Sequence, residues 1–232
     1  MRSKSKFVAS GLLAALTWTC LGEGTAQAQI PPIVERDPNW EAVSHAMLGV
    51  GVGTVSLMPR IYFASPDATV GWKARWHVSA LAPIMTMTGI TMLVDGPIKD
   101  ELGSPKQGCT AEETLANLPD SGCESFGSPS THAFASWGAT GAGLGVFLVD
   151  TVKYSSGNFN VGSFAGNVAV PFTTSILTSV SRSADGSGLG PESTGQVVGG
   201  ALAGAGIGLL VGAGYALLQE PDCGYGNYLF CW

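Results

Sequence analysis

The stretch that decides the fold is 193–219, which reads STGQVVGGALAGAGIGLLVGAGYALLQ and carries no charged residue. Gly200, Gly204, Gly208 and Gly212 recur at every fourth position, so they fall on one face of a helix. In water each such glycine would destabilise a helix by about 1 kcal/mol relative to alanine. In a membrane, small residues let two helices approach closely. The stretch therefore predicts a membrane helix that packs through its glycine face.

Four further stretches carry no charged residue, namely 42–59, 76–94, 125–149 and 154–181. Each of the five reaches or nearly reaches the ~20 residues that a helix needs to cross a bilayer. The sequence therefore predicts an all-α fold, a bundle of several transmembrane helices, formed by one domain over 29–232.

The composition is typical of a membrane protein and argues against a disordered or a nucleic-acid-binding chain. Charged residues make up 12% of the chain, against about 25% in soluble globular proteins. Apolar residues make up 45% and there are 33 glycines, so the chain has ample apolar surface to bury and is not intrinsically disordered. The net charge of -6 argues against a nucleic-acid partner, because binding phosphates requires a basic surface.

Residues 1–28 are predicted to be a secretory signal peptide. A basic segment 2–6 precedes an apolar stretch 7–21, and the small residues Ala26 and Ala28 form a cleavage pattern. A retained first membrane helix is the alternative. Cleavage after Ala28 would leave 204 of the 232 residues in an exported protein.

Export makes disulfides the favoured state of the four remaining cysteines, Cys109, Cys123, Cys223 and Cys231. Their order favours Cys109–Cys123 and Cys223–Cys231, although three pairings exist for four cysteines. A zinc site is the weaker alternative, because no histidine or Cys-x-x-Cys pair lies near either couple.

The charges of two connecting segments predict how the bundle is oriented. Segment 60–75 carries three basic residues and one acid, so it should face the cytoplasm. Segment 95–124 carries seven acids, two lysines and the Cys109/Cys123 pair, so it should lie outside. Five spans that start outside would, however, place Cys223 and Cys231 in the reducing cytoplasm. The charge pattern and a second disulfide are therefore in conflict.

Three polar elements should meet on the outer side. Ser128 can cap the helix that follows and Pro129 suits its first position, and a helix N-terminus binds phosphate readily. His132 would lie in the first turn. Cations at neighbouring helix ends complete a candidate phosphate site: Lys99, Lys106 and Arg182. The alternative is that Ser-Pro only opens a helix and that the lysines snorkel at a membrane boundary.

The order and spacing of these elements resemble the type 2 phosphatidic acid phosphatases, which are related to vanadium haloperoxidases, over 95–218. The family motifs are K-x6-R-P, P-S-G-H and S-R-x5-H-x3-D. The matches are Lys99 in the first, Pro129, Ser130 and His132 in the second with Thr131 in place of glycine, and Ser181 and Arg182 in the third. The resemblance implies phosphate binding by Lys99, Lys106, Ser130, Thr131 and Arg182, with His132 protonating the leaving group.

Three departures from the family pattern weaken the expectation of catalysis. Lys106 and Gln107 replace the Arg-Pro of the first motif, so a two-pronged phosphate contact becomes a point charge. Glu192 and Gln196 stand at the places of the nucleophilic histidine and of the aspartate that orients it. Glu192 is the remaining candidate nucleophile or base, but its negative charge would repel a phosphate. Hydrolysis is therefore expected to be weak or absent.

The expected protein is a cell-membrane protein of this family's fold, with a site that faces the periplasm or exterior and requires no cofactor. Its ligand would be a phospholipid or another phosphate-bearing small molecule. One alternative is a catalytically inactive, glycine-packed structural or transport-like bundle, which would form homo-oligomers through its glycine faces. Another is a soluble periplasmic relative of the acid phosphatases.

Two geometric expectations test this interpretation. Lys99, His132 and Arg182 should point into one cavity at one end of the bundle. Gly204 and Gly208 should contact a neighbouring helix, and leucine at either position should disrupt folding more than leucine at Ala216.

Overall fold

The computed structural model describes residues 38–63, 71–77, 81–106, 109–116, 123, 126–183, 192–221 and 230–231, and these are mostly helical. The predicted signal peptide 1–28 lies outside the described residues. The α-helices are α1 (Pro38–Leu57), α2 (Leu81–Leu93), α3 (Lys99–Leu102), α4 (Ala111–Ala116), α5 (Thr131–Val149), α6 (Val161–Phe164), α7 (Val170–Ser183) and α8 (Thr194–Leu218). Three π-helical turns join α2 to α3, extend α5, and join α6 to α7: Val94–Ile98, Asp150–Tyr154 and Ala165–Ala169.

Three helical runs within the described residues are long and apolar enough to cross a membrane, namely Leu81–Leu102, Thr131–Tyr154 and Thr194–Leu218. They indicate a membrane protein and support the predicted multi-span bundle. The other two uncharged stretches are also helical, in α1 and in 161–183, but they do not reach the same apolarity. A short acidic and polar start lowers the hydropathy of α1, and serines and threonines lower that of α7.

The glycine face of α8 packs directly on the backbone of α5, as predicted. A Cβ atom on Gly204 would lie 2.2 Å from the Phe134 carbonyl oxygen, and one on Gly208 would lie 2.1 Å from that of Gly138. Gly200 and Gly212 meet the carbonyls of Ser130 and Ala142 in the same way. Since no real side chain fits at such distances, the two helices can approach this closely only where α8 has glycine.

Ala216 is not an open reference position, so the predicted ranking of leucine substitutions at Gly204, Gly208 and Ala216 stays a prediction. Ala216 is only 1% exposed, because it continues the buried face of α8 one turn beyond Gly212. Gly206 and Gly214 are the tolerant positions, since a Cβ atom on either would meet no atom within 4 Å.

The described chain also contains a small sheet that the all-α prediction missed. Strand β1 (Arg60–Phe63) pairs antiparallel with β2 (Trp72–His77), and β3 (Phe230–Cys231) pairs parallel with β2. Trp76 and His77, predicted to begin a membrane helix, therefore belong to β2. Aromatic residues such as Tyr62, Phe63 and Trp72 favour a pleated, half-buried surface, and this preference outweighs the uncharged run that follows.

Cys109 and Cys123 form a disulfide, which confirms the predicted pairing of the first two cysteines. Cys223 lies outside the described residues, so the Cys223–Cys231 bond stays a prediction. Cys231 lies in β3, beside the hairpin of β1 and β2.

The bundle has two ends, which we name after what they hold. The cluster end contains the first turns of α5 and α8, the last turn of α7, and α3. The hairpin end contains β1, β2, Asp150 and the last turn of α8, and Arg60 of β1 joins these elements by hydrogen bonds to Asp150 and to the Gln219 carbonyl. The segments 60–75 and 95–124 thus begin at opposite ends, as a transmembrane arrangement requires. The side of the membrane that each end faces stays a prediction.

Candidate functional site

The cluster end is built around the start of α5. Ser130 has an extended backbone and its Oγ accepts a hydrogen bond from the Ala133 amide at 3.2 Å, so Ser130 is the N-cap and the helix begins at Thr131. The prediction that Ser128 caps the helix, with Pro129 at its first position, is wrong by two residues. A serine at the cap satisfies an amide that would otherwise lack a partner.

The start of α8 lies beside it and has a complete capping box. Ser193 Oγ accepts from the Gln196 amide, while the Gln196 side chain accepts from the Ser193 amide at 3.0 Å. The Gln196 Nε2 also donates to the Pro105 carbonyl at 2.9 Å, and the Ser130 amide donates to the Gln196 carbonyl at 3.0 Å. Gln196, at the place of the family's orienting aspartate, therefore ties three segments together.

A buried triad connects these two helix starts to α7. Glu192 is 2% exposed and Arg182 is 6% exposed. The Arg182 guanidinium donates to both carboxylate oxygens of Glu192, from Nη2 at 3.1 Å and from Nε at 3.3 Å. Ser130 Oγ donates to the same carboxylate at 2.5 Å. The arginine fork, a serine hydroxyl and two helix starts thus surround one oxyanion, and that oxyanion belongs to the chain itself.

A second ion pair lies next to the triad. Lys99, 4% exposed, donates from Nζ to Asp95 Oδ1 at 3.0 Å, and Thr131 Oγ1 donates to the same oxygen at 2.5 Å. The Asp95 side chain is 59% exposed, so this pair forms the solvent-facing edge of the cluster. Lys106, the remaining predicted phosphate-binding residue, directly follows Pro105, whose carbonyl accepts a hydrogen bond from Gln196. All the predicted phosphate-binding residues thus lie at the cluster end.

His132 lies between these two ion pairs. Lys99, Arg182 and Glu192 are close enough for their charges to act on its ring. Its Nε2 lies 3.2 Å from the Nε2 of His45, and the two rings meet edge to face. The Nδ1 of His45 lies 2.9 Å from the Glu41 carbonyl oxygen, so Nδ1 is the donor in that contact. In the neutral tautomer that this contact favours, Nε2 of His45 accepts, and a proton on His132 Nε2 is directed at it.

Sequence reasoning missed His45 as a member of the cluster. His45 is exposed on α1, and its ring contacts that of His132. His77 lies apart from both, buried in β2 at the hairpin end. Only the packing of α1 against α5 brings His45 to the site.

The groups gathered at the cluster end are a guanidinium, an ammonium, hydroxyls and helix starts, which are groups that bind oxyanions in other proteins. Among the described residues, no group of three or more His, Cys, Asp or Glu side chains is placed to hold a metal ion. No family model, curated protein or solved structure matches this chain. The resemblance to type 2 phosphatidic acid phosphatases therefore rests on the sequence motifs alone.

Proposed function

We propose that this chain is a membrane protein that binds the phosphate group of a phospholipid, or of a phosphate-bearing small molecule, at the cluster end and does not hydrolyse it. The proposal joins the motif resemblance to the convergence of Lys99, His132 and Arg182 on one end of the bundle. It makes the chain a relative, in fold and ligand, of type 2 phosphatidic acid phosphatases.

The observation that carries the proposal is the position of the Glu192 carboxylate. It receives the Arg182 fork and the Ser130 hydroxyl beside the first turns of α5 and α8. A planar arginine fork and a hydroxyl are donors that bind phosphate elsewhere, and helix N-termini such as the two beside them favour an anion. A carboxylate and a phosphate are both oxyanions, so Glu192 acts as an internal stand-in for the ligand.

The same position explains why hydrolysis is not expected. A nucleophile must approach phosphorus, but the Glu192 carboxylate is buried, held in place by Arg182 and Ser130, and its negative charge would repel a phosphate. The general acid must reach the leaving oxygen, whereas a proton on His132 Nε2 is directed at His45. Both chemical roles are therefore occupied by contacts within the chain.

A second candidate function follows from the pairing of the cations. Arg182 is neutralised by Glu192 and Lys99 by Asp95. The polar groups of the cluster end can therefore also serve only to hold the helices together. In that case the protein is a glycine-packed membrane bundle that binds no phosphate. The two candidates differ in one measurable property, which is whether an external oxyanion can replace Glu192.

The test uses the full chain in lipid nanodiscs and orthovanadate as the probe. Glu192→Gln keeps the shape of the side chain but removes its charge, so Arg182 becomes available to the probe. We expect Glu192→Gln to bind vanadate at least about tenfold more tightly than the wild type, a difference of about 1.4 kcal/mol. Adding Arg182→Ala to this variant should remove the gain.

Glu220→Gln is the matched control, because it removes the same charge from an exposed residue near the hairpin end. It should leave vanadate binding unchanged. If Glu192→Gln binds vanadate no better than the wild type, phosphate binding is refuted and the glycine-packed bundle is favoured. Release of phosphate from phosphatidic acid by the wild type, abolished in His132→Ala, would refute the absence of hydrolysis.

A further inference from the structure

The helical run 161–183 buries polar side chains and exposes apolar ones, which is the reverse of the pattern in water-soluble proteins. Along α7 the side chains that face the bundle are hydroxylic and between 0% and 6% exposed: Thr174, Ser175, Thr178 and Ser181. Apart from Thr173, the exposed side chains are apolar, and four large ones are between 40% and 45% exposed: Phe172, Ile176, Leu177 and Val180. A helix at a protein–water boundary buries its apolar stripe instead.

The hydroxyl groups on the inner face need no water. Thr178 Oγ1 donates to the Thr174 carbonyl at 2.9 Å, and Ser181 Oγ donates to the Thr178 carbonyl at 2.9 Å. Hydroxyls of membrane helices satisfy themselves in this way, by bonding to the carbonyl of the preceding turn.

Other hydroxyls of α7 bond across to α5. Ser175 and Thr140 hydroxyls lie 2.9 Å apart, and Trp137 Nε1 donates to Ser179 Oγ at 2.9 Å. Because α5 belongs to a run that is apolar enough to cross a membrane, these bonds attach α7 side by side to a candidate span. Hydrogen bonds between neighbouring helices are a common means of association inside a bilayer.

The exposed apolar surface continues around the bundle. Met85 and Met92 on α2 are 71% and 69% exposed, and Leu202 and Leu210 on α8 are 67% and 61% exposed. A second copy of the chain would cover one side of the bundle, whereas apolar side chains point outward from several helices. Lipid is the partner whose contact surrounds a bundle in this way.

We propose that the run 161–183 is a fourth membrane-spanning helix, whose outer face contacts lipid acyl chains and whose hydroxyl face forms part of the bundle interior. At 1.5 Å per residue the run is about 34 Å long, which suffices for a hydrocarbon core of about 30 Å. Its mean hydropathy is lowered mainly by polar residues that face inward, which are serines, threonines, Asn167 and, near its end, Arg182. This assignment does not depend on the oxyanion site.

The experiment places the photoreactive residue p-benzoylphenylalanine at Leu177 in the full chain, in phosphatidylcholine nanodiscs. Irradiation should yield a covalent adduct with the phospholipid, measured by mass spectrometry. The matched control places the same residue at Glu112, which is exposed on α4 outside the candidate spans. The lipid adduct should be at least about tenfold more abundant at Leu177 than at Glu112.

The same probe at Val180, on the outer face of α7, keeps the test decisive if the Leu177 variant does not fold. A crosslink to a second copy of the chain at either position would overturn the proposal, because the surface would then be a protein interface. Lipid adducts no more abundant than at Glu112 would overturn it as well, because the face would then meet water.

Discussion

Each end of the bundle buries one arginine–carboxylate pair, yet the two pairs have opposite surroundings. At the hairpin end Arg60 donates to both oxygens of Asp150, and further hydrogen bonds reach the Gln219 and Ala216 carbonyls at 3.2 and 3.4 Å. The Tyr154 ring lies 5.7 Å from the guanidinium carbon. The hairpin end therefore surrounds a cation with acceptors.

At the cluster end it is the anion that is surrounded. Arg182 and the Ser130 hydroxyl donate hydrogen bonds to Glu192, which lies beside the starts of α5 and α8. Helix N-termini favour negative charge and helix C-termini favour positive charge. Arg60, next to the last turn of α8, and Glu192, next to its first turn, each follow this rule. The comparison shows a carboxylate held by donors at the cluster end and an arginine held by acceptors at the hairpin end, and it predicts that only the cluster end accepts an external anion.

The largest expected effect comes from removing each carboxylate. Asp150→Ala and Glu192→Ala should each lower the free energy of unfolding by about 3–5 kcal/mol, because a buried arginine is left without its partner. Added inorganic phosphate should restore part of the stability of Glu192→Ala and none of that of Asp150→Ala. Thermal unfolding in detergent, with and without phosphate, measures both.

The comparison between the two ends would break under either of two results. Rescue of both variants by phosphate would mean that the hairpin end also accepts an external anion. Rescue of neither would mean that the cluster end is as closed to anions as the hairpin end.

An intermediate effect is expected from the glycine face of α8, which runs from one end to the other. Gly200→Ala would place a Cβ atom 2.4 Å from the Ser130 carbonyl oxygen, and Gly212→Ala would place one 2.1 Å from that of Ala142. Each should destabilise the bundle by about 1–3 kcal/mol through overpacking. Gly206→Ala, which meets no atom within 4 Å, is the control and should not destabilise it.

The two glycine variants should differ in function. In the Glu192→Gln background, Gly200→Ala should weaken vanadate binding because it displaces the cap of α5, whereas Gly212→Ala should not. Equal effects of both variants on vanadate binding would show that the whole helix pair, and not the cluster end, sets the affinity.

The smallest effect concerns pH and the hairpin end. Burial lowers the pKa of His77 below its usual 6.5, although its hydrogen bond to the Pro221 carbonyl opposes this. Unfolded His77 therefore takes up a proton at a higher pH than folded His77, so stability should fall as pH drops below about 6.5. His77→Asn should reduce that fall, measured as the change in melting temperature between pH 8 and pH 5. An unchanged fall in this variant would contradict the assignment.

Much of the cluster end could be predicted from the sequence, because it depends on where helices end. The positions of Lys99, His132 and Arg182 relative to uncharged stretches placed them at helix ends on one side, and the structure has them there. The cap residue was misjudged by two positions, since Ser128 and Ser130 both precede the helix and only the backbone geometry chooses between them. The hairpin was missed because its strands are short and adjoin an uncharged run.

By itself, the sequence determined the features that depend on local spacing. These are the helix runs and the glycine face of α8, because residues four positions apart share one helix face. The Cys109–Cys123 bond was only favoured by proximity in sequence, and the structure selects it from three possible pairings. Only the tertiary structure decided which polar groups are partners: Ser130 with Glu192, His132 with His45, and Arg60 with Asp150, at sequence separations of 62, 87 and 90. Such pairs depend on how helices pack and rotate against one another, and no local pattern encodes that.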